Sequence, residues 1–200
     1  FRRVLFRSDE VLAVAEDVIN YDFVGISGTS YSEWSGKTAE SGAVYAGNSA
    51  GGNTSIQLRS ANSTSGIVTT TSAGKVKSIK VTFNSNTANA RVLSIYGSNT
   101  AYTAASNLYS SSTQGTLIAS VAYADGAEQT IDVASKGEYA YFGVRSSSGA
   151  MYLDELLIEW DLASDGGDGG DGGDDTETTY YLVGYWSDAD QTASDARSEE

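Results

Sequence analysis

From Ala43 to Phe83 the chain reads AVYAGNSAGGNTSIQLRSANSTSGIVTTTSAGKVKSIKVTF. Apolar residues come in short alternating runs, and the runs are parted by Gly, Ser, Asn and Thr. A period of two in runs this short suits half-buried β-strands and gives no amphipathic helix of useful length. Lys75 to Phe83 carries the signal most clearly. Ile79, Val81 and Phe83 share one face, and Lys80 and Thr82 share the other. Lysines on the second face mark it as solvated, as in an antiparallel sheet with one face on a core.

The same pattern recurs along the chain. Ser55 to Arg59 puts Ile56 and Leu58 on one face, and Gly66 to Thr71 is β-branched. Arg91 to Tyr96, Thr116 to Val121, Gln129 to Val133 and Tyr139 to Val144 follow, and Met151 to Trp160 turns Leu156, Ile158 and Trp160 inward. Tyr21 to Ile26 reads as a first strand and Ala43 to Ala46 as a short one. Ser27 to Gly42, Gly47 to Thr54, Ser60 to Ser65 and Gly97 to Gly115 read as loops. Roughly eight to ten strands at such spacing predict an all-β fold, an antiparallel two-sheet β-sandwich of jelly-roll type. In Asp9 to Asn20, the spacing of Val11, Leu12, Ala15, Val18 and Ile19 fits a short amphipathic helix before the sandwich; a strand or an unstructured lead-in fits the same residues.

Composition limits the chemistry. The chain has no Cys and no His, which removes disulfides, thiolate metal sites and the His-dependent catalytic triads together. It has no Pro, so Gly, Asn, Ser and Asp must make the turns. A formal charge of −14 disfavours nucleic acid and anionic lipid as partners. No run approaches the roughly 18 apolar residues of a membrane span.

The chain divides by composition. Residues 21–163 form the expected sandwich module, after a lead-in over 9–20. Residues 164–179 (SDGGDGGDGGDDTETT) read as an Asp/Gly linker, extended by charge repulsion and loosened by glycine. Residues 180–196 open with YYLVGYW, which reads as the start of a second domain, with a strand returning to the first domain as the alternative. Phe1 to Ser8 (FRRVLFRS) resembles the in-frame translation of a common short-read sequencing adapter, and Arg197 to Glu200 (RSEE) matches the opposite adapter end. Both stretches are set aside from the fold.

Carboxylate pairs are the only catalytic option that composition leaves. Asp154 and Glu155 are strand neighbours that point to opposite faces, and Asp132 and Glu138 flank a turn. A glycosidase needs two carboxyls facing across a cleft, about 5–9 Å apart, so solvated strand charges are the better reading and no enzyme activity is expected. Aromatic residues in or near loops are the stronger signal: Tyr31, Trp34, Tyr45, Tyr102, Tyr109 and Tyr152. Flat sugar C–H faces stack on such rings, while sugar hydroxyls hydrogen-bond to Asn, Arg and Ser. Packing over the ends of the core is the competing role for each ring. Arg59 and Arg145 stand where a strand meets a polar loop and offer a fixed fork of donors; tying down their own loops is the alternative. The candidate ligand-binding set is Tyr45, Asn48, Asn53, Arg59, Asn62, Tyr102, Tyr109, Arg145 and Tyr152.

Five segments together carry a family resemblance: SGAVYAGNSAGGNTSIQLRS, SGIVTTTSAGKVKSIKVTFNSNT, LSIYGSNTAYTAASNLY, TQGTLIASV and YAYFGVRSSSGAMYLDELLIEW. Residues 21–162 resemble a module repeated in large secreted proteins of gut bacteria, similar to the galactose-binding-like jelly rolls that accompany glycan-degrading enzymes. The resemblance implies a non-catalytic, carbohydrate-binding accessory module of a secreted or cell-surface multidomain protein. Its partners would be a polysaccharide or glycan and the adjacent domains of the same chain. It implies no catalytic cofactor and leaves room for a structural calcium ion. The tail TTYYLVGYWSDAD resembles the opening strand of starch-binding β-sandwich modules. A structural or adhesive spacer without a ligand is the second reading, and a carboxylate-dependent hydrolase the third.

Overall fold

The computed structural model describes residues 14–162. The expectations for residues 1–13 and 163–200, including both adapter-like ends, the linker and the tail, lie outside the described residues.

Eleven strands run in order along the described residues: β1 (Val14–Asn20), β2 (Ser32–Thr38), β3 (Val44–Gly52), β4 (Ser55–Arg59), β5 (Gly66–Thr71), β6 (Gly74–Phe83), β7 (Val92–Ser98), β8 (Thr116–Ala122), β9 (Glu128–Asp132), β10 (Tyr141–Ser146) and β11 (Ala150–Leu162). One helical turn, α1 (Tyr21–Val24), follows β1, and a 3-10 turn at Ala105–Tyr109 interrupts the longest loop. Every strand pair is antiparallel. The all-β antiparallel sandwich expected from the alternation is the fold observed.

The first layer is β9-β6-β11, with β1 and β4 one after the other along the other edge of β11. The second layer is β8-β7-β10-β5-β3-β2. The strand β3 joins them. Its first half, Val44 to Asn48, pairs with β5 and β2, and its second half, Ala50 to Gly52, pairs with β4. The loop expected at Gly47 to Thr54 is therefore a strand through Gly52, and only Asn53 and Thr54 make a turn, both at φ 56°. Two such residues in a row give the tight hairpin geometry that matches strand twist. Glycine misled the composition reading because it answers a different need. A Cβ on Gly47 would stand 2.5 Å from the Trp34 ring, and one on Gly51 would stand 2.5 Å from the Ile26 carbonyl oxygen. Close backbone approach, not turn formation, requires these glycines.

The N-terminal expectation also changes. Residues 14–20 form β1 rather than a helix, and Tyr21 to Val24 form a helical turn rather than a strand. Val14 pairs with Asp161 and Asn20 with Glu155 along β11. The apolar spacing misleads because β1 buries Asp17 and leaves Val18 42% exposed. The Asn20 side chain accepts a bond from the Phe23 backbone N–H at 3.0 Å, which caps the helical turn and ends the strand. The loop expected at Ser27 to Gly42 contains β2, whose register shifts between Trp34 and Lys37 and so hides the alternation.

Between the layers, the inward faces of β6 (Ile79, Val81, Phe83) and β11 (Leu156, Ile158, Trp160) meet Ile67, Leu93, Ile95, Phe142 and Val144 from the second layer. The β6 and β11 residues are the inward ones that the alternation predicts. Each such side chain contributes about 1.5–3 kcal/mol by leaving water. Asp17 is the exception in this core, at 1% exposure. Its Oδ1 accepts from the Ser41 N–H at 3.0 Å. Its Oδ2 accepts from Ser41 Oγ at 2.6 Å, Tyr45 Oη at 2.7 Å and Trp160 Nε1 at 2.8 Å. The carboxylate thus ties β1, β3, β11 and the β2–β3 turn at one point.

Asp17→Ala should lower the unfolding free energy by about 3–5 kcal/mol, because it strands several buried donors at once. Chemical denaturation of the variant checks this; a loss below about 1 kcal/mol would mean the donors find other partners.

Candidate functional site

The outward residues of the second layer do not all face solvent. The segment from Asn99 to Gln114 folds back over them and makes a second small core from Ala46, Val68, Tyr96, Tyr102 and Leu108. Leu108 fits because β10 has glycine beneath it: a Cβ on Gly143 would stand 2.5 Å from Leu108 Cδ2. The Asn107 side chain fixes the entry to the 3-10 turn by accepting from the Thr103 N–H at 2.8 Å and the Ala104 N–H at 3.2 Å. Tyr102 donates to the Gln114 carbonyl and Tyr109 to the Ser65 carbonyl, both at 2.7 Å.

This covering segment leaves a groove of about 230 Å³ between itself and β2, floored by β3. Glu33, Trp34, Asn48, Thr64, Thr103 and Ser106 line it. Asn48 is 8% exposed. Its Nδ2 donates to Thr64 Oγ1 at 3.1 Å, while its Oδ1 has no partner. A buried acceptor left unpaired costs about 1–3 kcal/mol. A hydroxyl that reached this atom from the groove would recover that cost. Trp34 is held by its own Nε1 donating to Ser49 Oγ at 3.1 Å.

The same outward surface continues past the groove. Two residues before Glu33 stands Tyr31, and two residues beyond Asn48 stands Ala50, whose partner across the sheet is Gln57. Gln57 pairs in turn with Tyr152 and donates from Nε2 to the Tyr152 hydroxyl oxygen at 3.1 Å. Arg59 shares the outward face of β4 with Gln57 and is exposed. Its backbone N–H donates to Ser65 Oγ at 3.1 Å, and the Ser65 carbonyl takes the Tyr109 hydroxyl, so Ser65 links the arginine to the tyrosine. Tyr31, Tyr109 and Tyr152 are half-buried. Burial pushes the Tyr31 hydroxyl up to about 12, against the pull of the Arg59 charge, and Tyr152 and Tyr109 add to the rise. The Tyr31 hydroxyl has no hydrogen-bond partner.

Arg145 stacks on this patch from the other side. Its guanidinium carbon lies 4.7 Å from the centre of the Tyr109 ring and 5.5 Å from that of Tyr96. One Nη donates to the Tyr96 hydroxyl oxygen at 3.0 Å, and Nε is buried without a partner.

The structure thus gathers Asn48, Arg59, Tyr109, Arg145 and Tyr152 of the sequence-nominated residues on one outward surface. Tyr45 stands apart, fully buried in the main core and bonded to Asp17. Tyr102 is buried beneath the covering segment. Asn62 spends its Oδ1 on the Thr64 N–H and hydroxyl within its own turn, and Asn53 is exposed at the β3–β4 hairpin. Gln57, Thr64, Thr103 and Ser106 carry no sequence signal; only pairing and the fold-back of the long loop bring them to the site. As for the carboxylates, Asp154 accepts from Asn84, Asp132 from the Ser135 N–H, and Glu138 pairs with Lys75. Among the described residues no three acidic groups converge to hold a metal ion, so none is assigned to calcium.

No protein-family model matches the chain, and no curated protein matches it. Among solved structures, the chain is similar to a low affinity xylan binding module from the xylanolytic gut symbiont Roseburia intestinalis. The identity is 10%, the TM-score is 0.29, and the match covers 72% of this chain and 94% of that one.

Burial raises the hydroxyl pKa of Tyr31, Tyr45, Tyr102 and Tyr109 above the ordinary value. The native state therefore keeps protons that the unfolded chain releases near pH 10. The corresponding stability is complete below about pH 10 and is lost as pH climbs through the folded values. Tyrosinate absorbance of the native protein should lag that of the denatured chain above pH 10 and jump on alkaline unfolding; coincident curves would contradict the burial argument.

Proposed function

We propose that the described module is a non-catalytic carbohydrate-binding module, serving as an accessory to other domains of a secreted or cell-surface protein. The observation that carries this reading is the unpartnered carbonyl oxygen of Asn48, buried at the floor of an open polar groove. The surroundings suit a sugar. Thr64, Thr103, Ser106 and Glu33 offer short polar contacts to hydroxyls, and Ala46 and Ala104 offer apolar ones. Half-buried Tyr31 and Tyr152 extend the same surface for a second or third sugar unit. Few buried donors and acceptors with no charge cluster suit weak, selective holding of a polymer, and tethering would raise its local concentration for a neighbouring domain.

A structural spacer is the competing reading, favoured by the number of loop side chains that are already paired within the fold. Tyr109 and Asn62 are examples.

Titration of the full chain with plant, starch and host polysaccharides should reveal millimolar or tighter binding to at least one of them. Ser106 is exposed on the groove rim and its hydroxyl makes no side-chain hydrogen bond, so Ser106→Trp should close the groove without disturbing the core. The expected result is an affinity at least about tenfold lower at an unchanged Tm, a loss of about 1.4 kcal/mol. Absence of binding across the panel, or full affinity in the variant, would favour the spacer.

A further inference from the structure

Eight lysines and arginines lie among the described residues, and five of them contrast in a telling way. On the first layer the lysines are neutralised: Lys75 pairs with Glu138 at 2.9 Å, Lys77 with Glu159 at 2.7 Å and Lys80 with Glu128 at 3.2 Å. On the outward surface beside the groove, the cations are Arg59 and Arg145, and no carboxylate among the described residues lies within ion-pair distance of either. The groups that surround them are neutral: Tyr31, Tyr96, Tyr109, Tyr152, Gln57 and Ser65. In a chain of net charge −14, two uncompensated guanidiniums on one surface form a local positive site. The chain's other charges act on it weakly, since salt screens them beyond about 10 Å at 0.1 M.

The two arginines have different duties. Arg145 is held between two rings and spends a donor on the Tyr96 hydroxyl, so it braces Tyr109 and lends charge. Arg59 is exposed, and no hydrogen bond to its guanidinium occurs among the described side chains. Its planar fork matches a carboxylate with two parallel bonds. Around it Tyr31, Tyr109 and Tyr152 are half-buried, with the Tyr31 hydroxyl turned inward and Arg145 on one face of Tyr109. A pyranose ring with a carboxylate on its edge suits this surface: the acid on Arg59 and a C–H face against the exposed part of a tyrosine.

Building on the carbohydrate reading of the groove, we infer that the adjoining Tyr31–Arg59–Tyr109–Tyr152 surface selects acidic polysaccharides, taking the carboxylate of a hexuronate unit on Arg59. The groove holds neighbouring units of the same polymer, and the arginine sets the preference for charge.

The test compares full-chain binding to polygalacturonate, to its methyl ester and to an uncharged galactan, for the native protein and for Arg59→Gln. Arg59 is exposed and only its backbone makes hydrogen bonds among the described residues, so Arg59→Gln should keep the native Tm. Loss of a charge-assisted bidentate contact weakens polygalacturonate binding about ten- to hundredfold. The methyl ester should bind the native protein as weakly as the acid binds Arg59→Gln, and added salt should weaken only the native–acid pair. Equal affinity for acid and ester, or full acid binding by Arg59→Gln, overturns the inference. If the galactan binds and the acid does not, the inference fails while the carbohydrate reading stands. If none of these polymers nor any of the wider panel binds, the carbohydrate reading fails with it.

Discussion

A single buried carboxylate holds this sandwich in register. Asp17 collects hydrogen bonds from the β2–β3 turn, from Tyr45 on β3 and from Trp160 on β11. Without those donors a charge in the core would cost several kcal/mol. With them it becomes an anchor whose position tolerates no slip, since moving any partner by one residue would turn its side chain to the other face. The aromatic chain Phe23–Tyr45–Phe142–Trp160 packs about this anchor, with ring centres 5.9, 6.0 and 6.3 Å apart. The order of the core thus follows from satisfying one polar group.

The position of Tyr45 in turn fixes β3, and β3 fixes the candidate site. Tyr45 points into the core, so Ala46 and Asn48 point outward along the same strand. Ala46 meets the covering segment and Asn48 floors the groove. The bend of β3 from one layer to the other then brings Gln57, Arg59 and Tyr152 from the first layer beside residues of the second. A strand that belonged to one sheet alone would leave the arginine patch and the groove on separate surfaces.

Most of the fold was legible because most of it obeys alternation. Ile79, Val81, Phe83, Leu156, Ile158 and Trp160 are inward as the period of two requires. The misreadings share a physical cause: tertiary demands replaced the usual residue type. A buried Asp and exposed valines gave β1 a helical look, and glycines needed for contact with Trp34 and Ile26 gave β3 the look of a loop. The site was legible only in its aromatic and arginine members. Which tyrosines would be core and which surface depends on strand parity and on the fold-back of residues 99–114, and neither is written locally. Asn48 and Arg145 could be nominated by type, but the unpaired Asn48 oxygen and the ring-braced guanidinium are properties of the assembled surface.

The antiparallel register of β1 on β11 has a mechanical side. Val14 lies opposite Asp161, so the two ends of the described fold leave from the same rung of one ladder. Tension applied through those ends loads the β1–β11 rungs one after another, as a zipper is opened, rather than all together as in shear. The early rungs should yield at low force. Resistance rises where Asp17, opposite Ile158, ties the peeling strand to Tyr45 and to its neighbour Trp160. The carboxylate that orders the core is also the catch that stops the zipper, which sets how much pull the fold withstands before its two layers part.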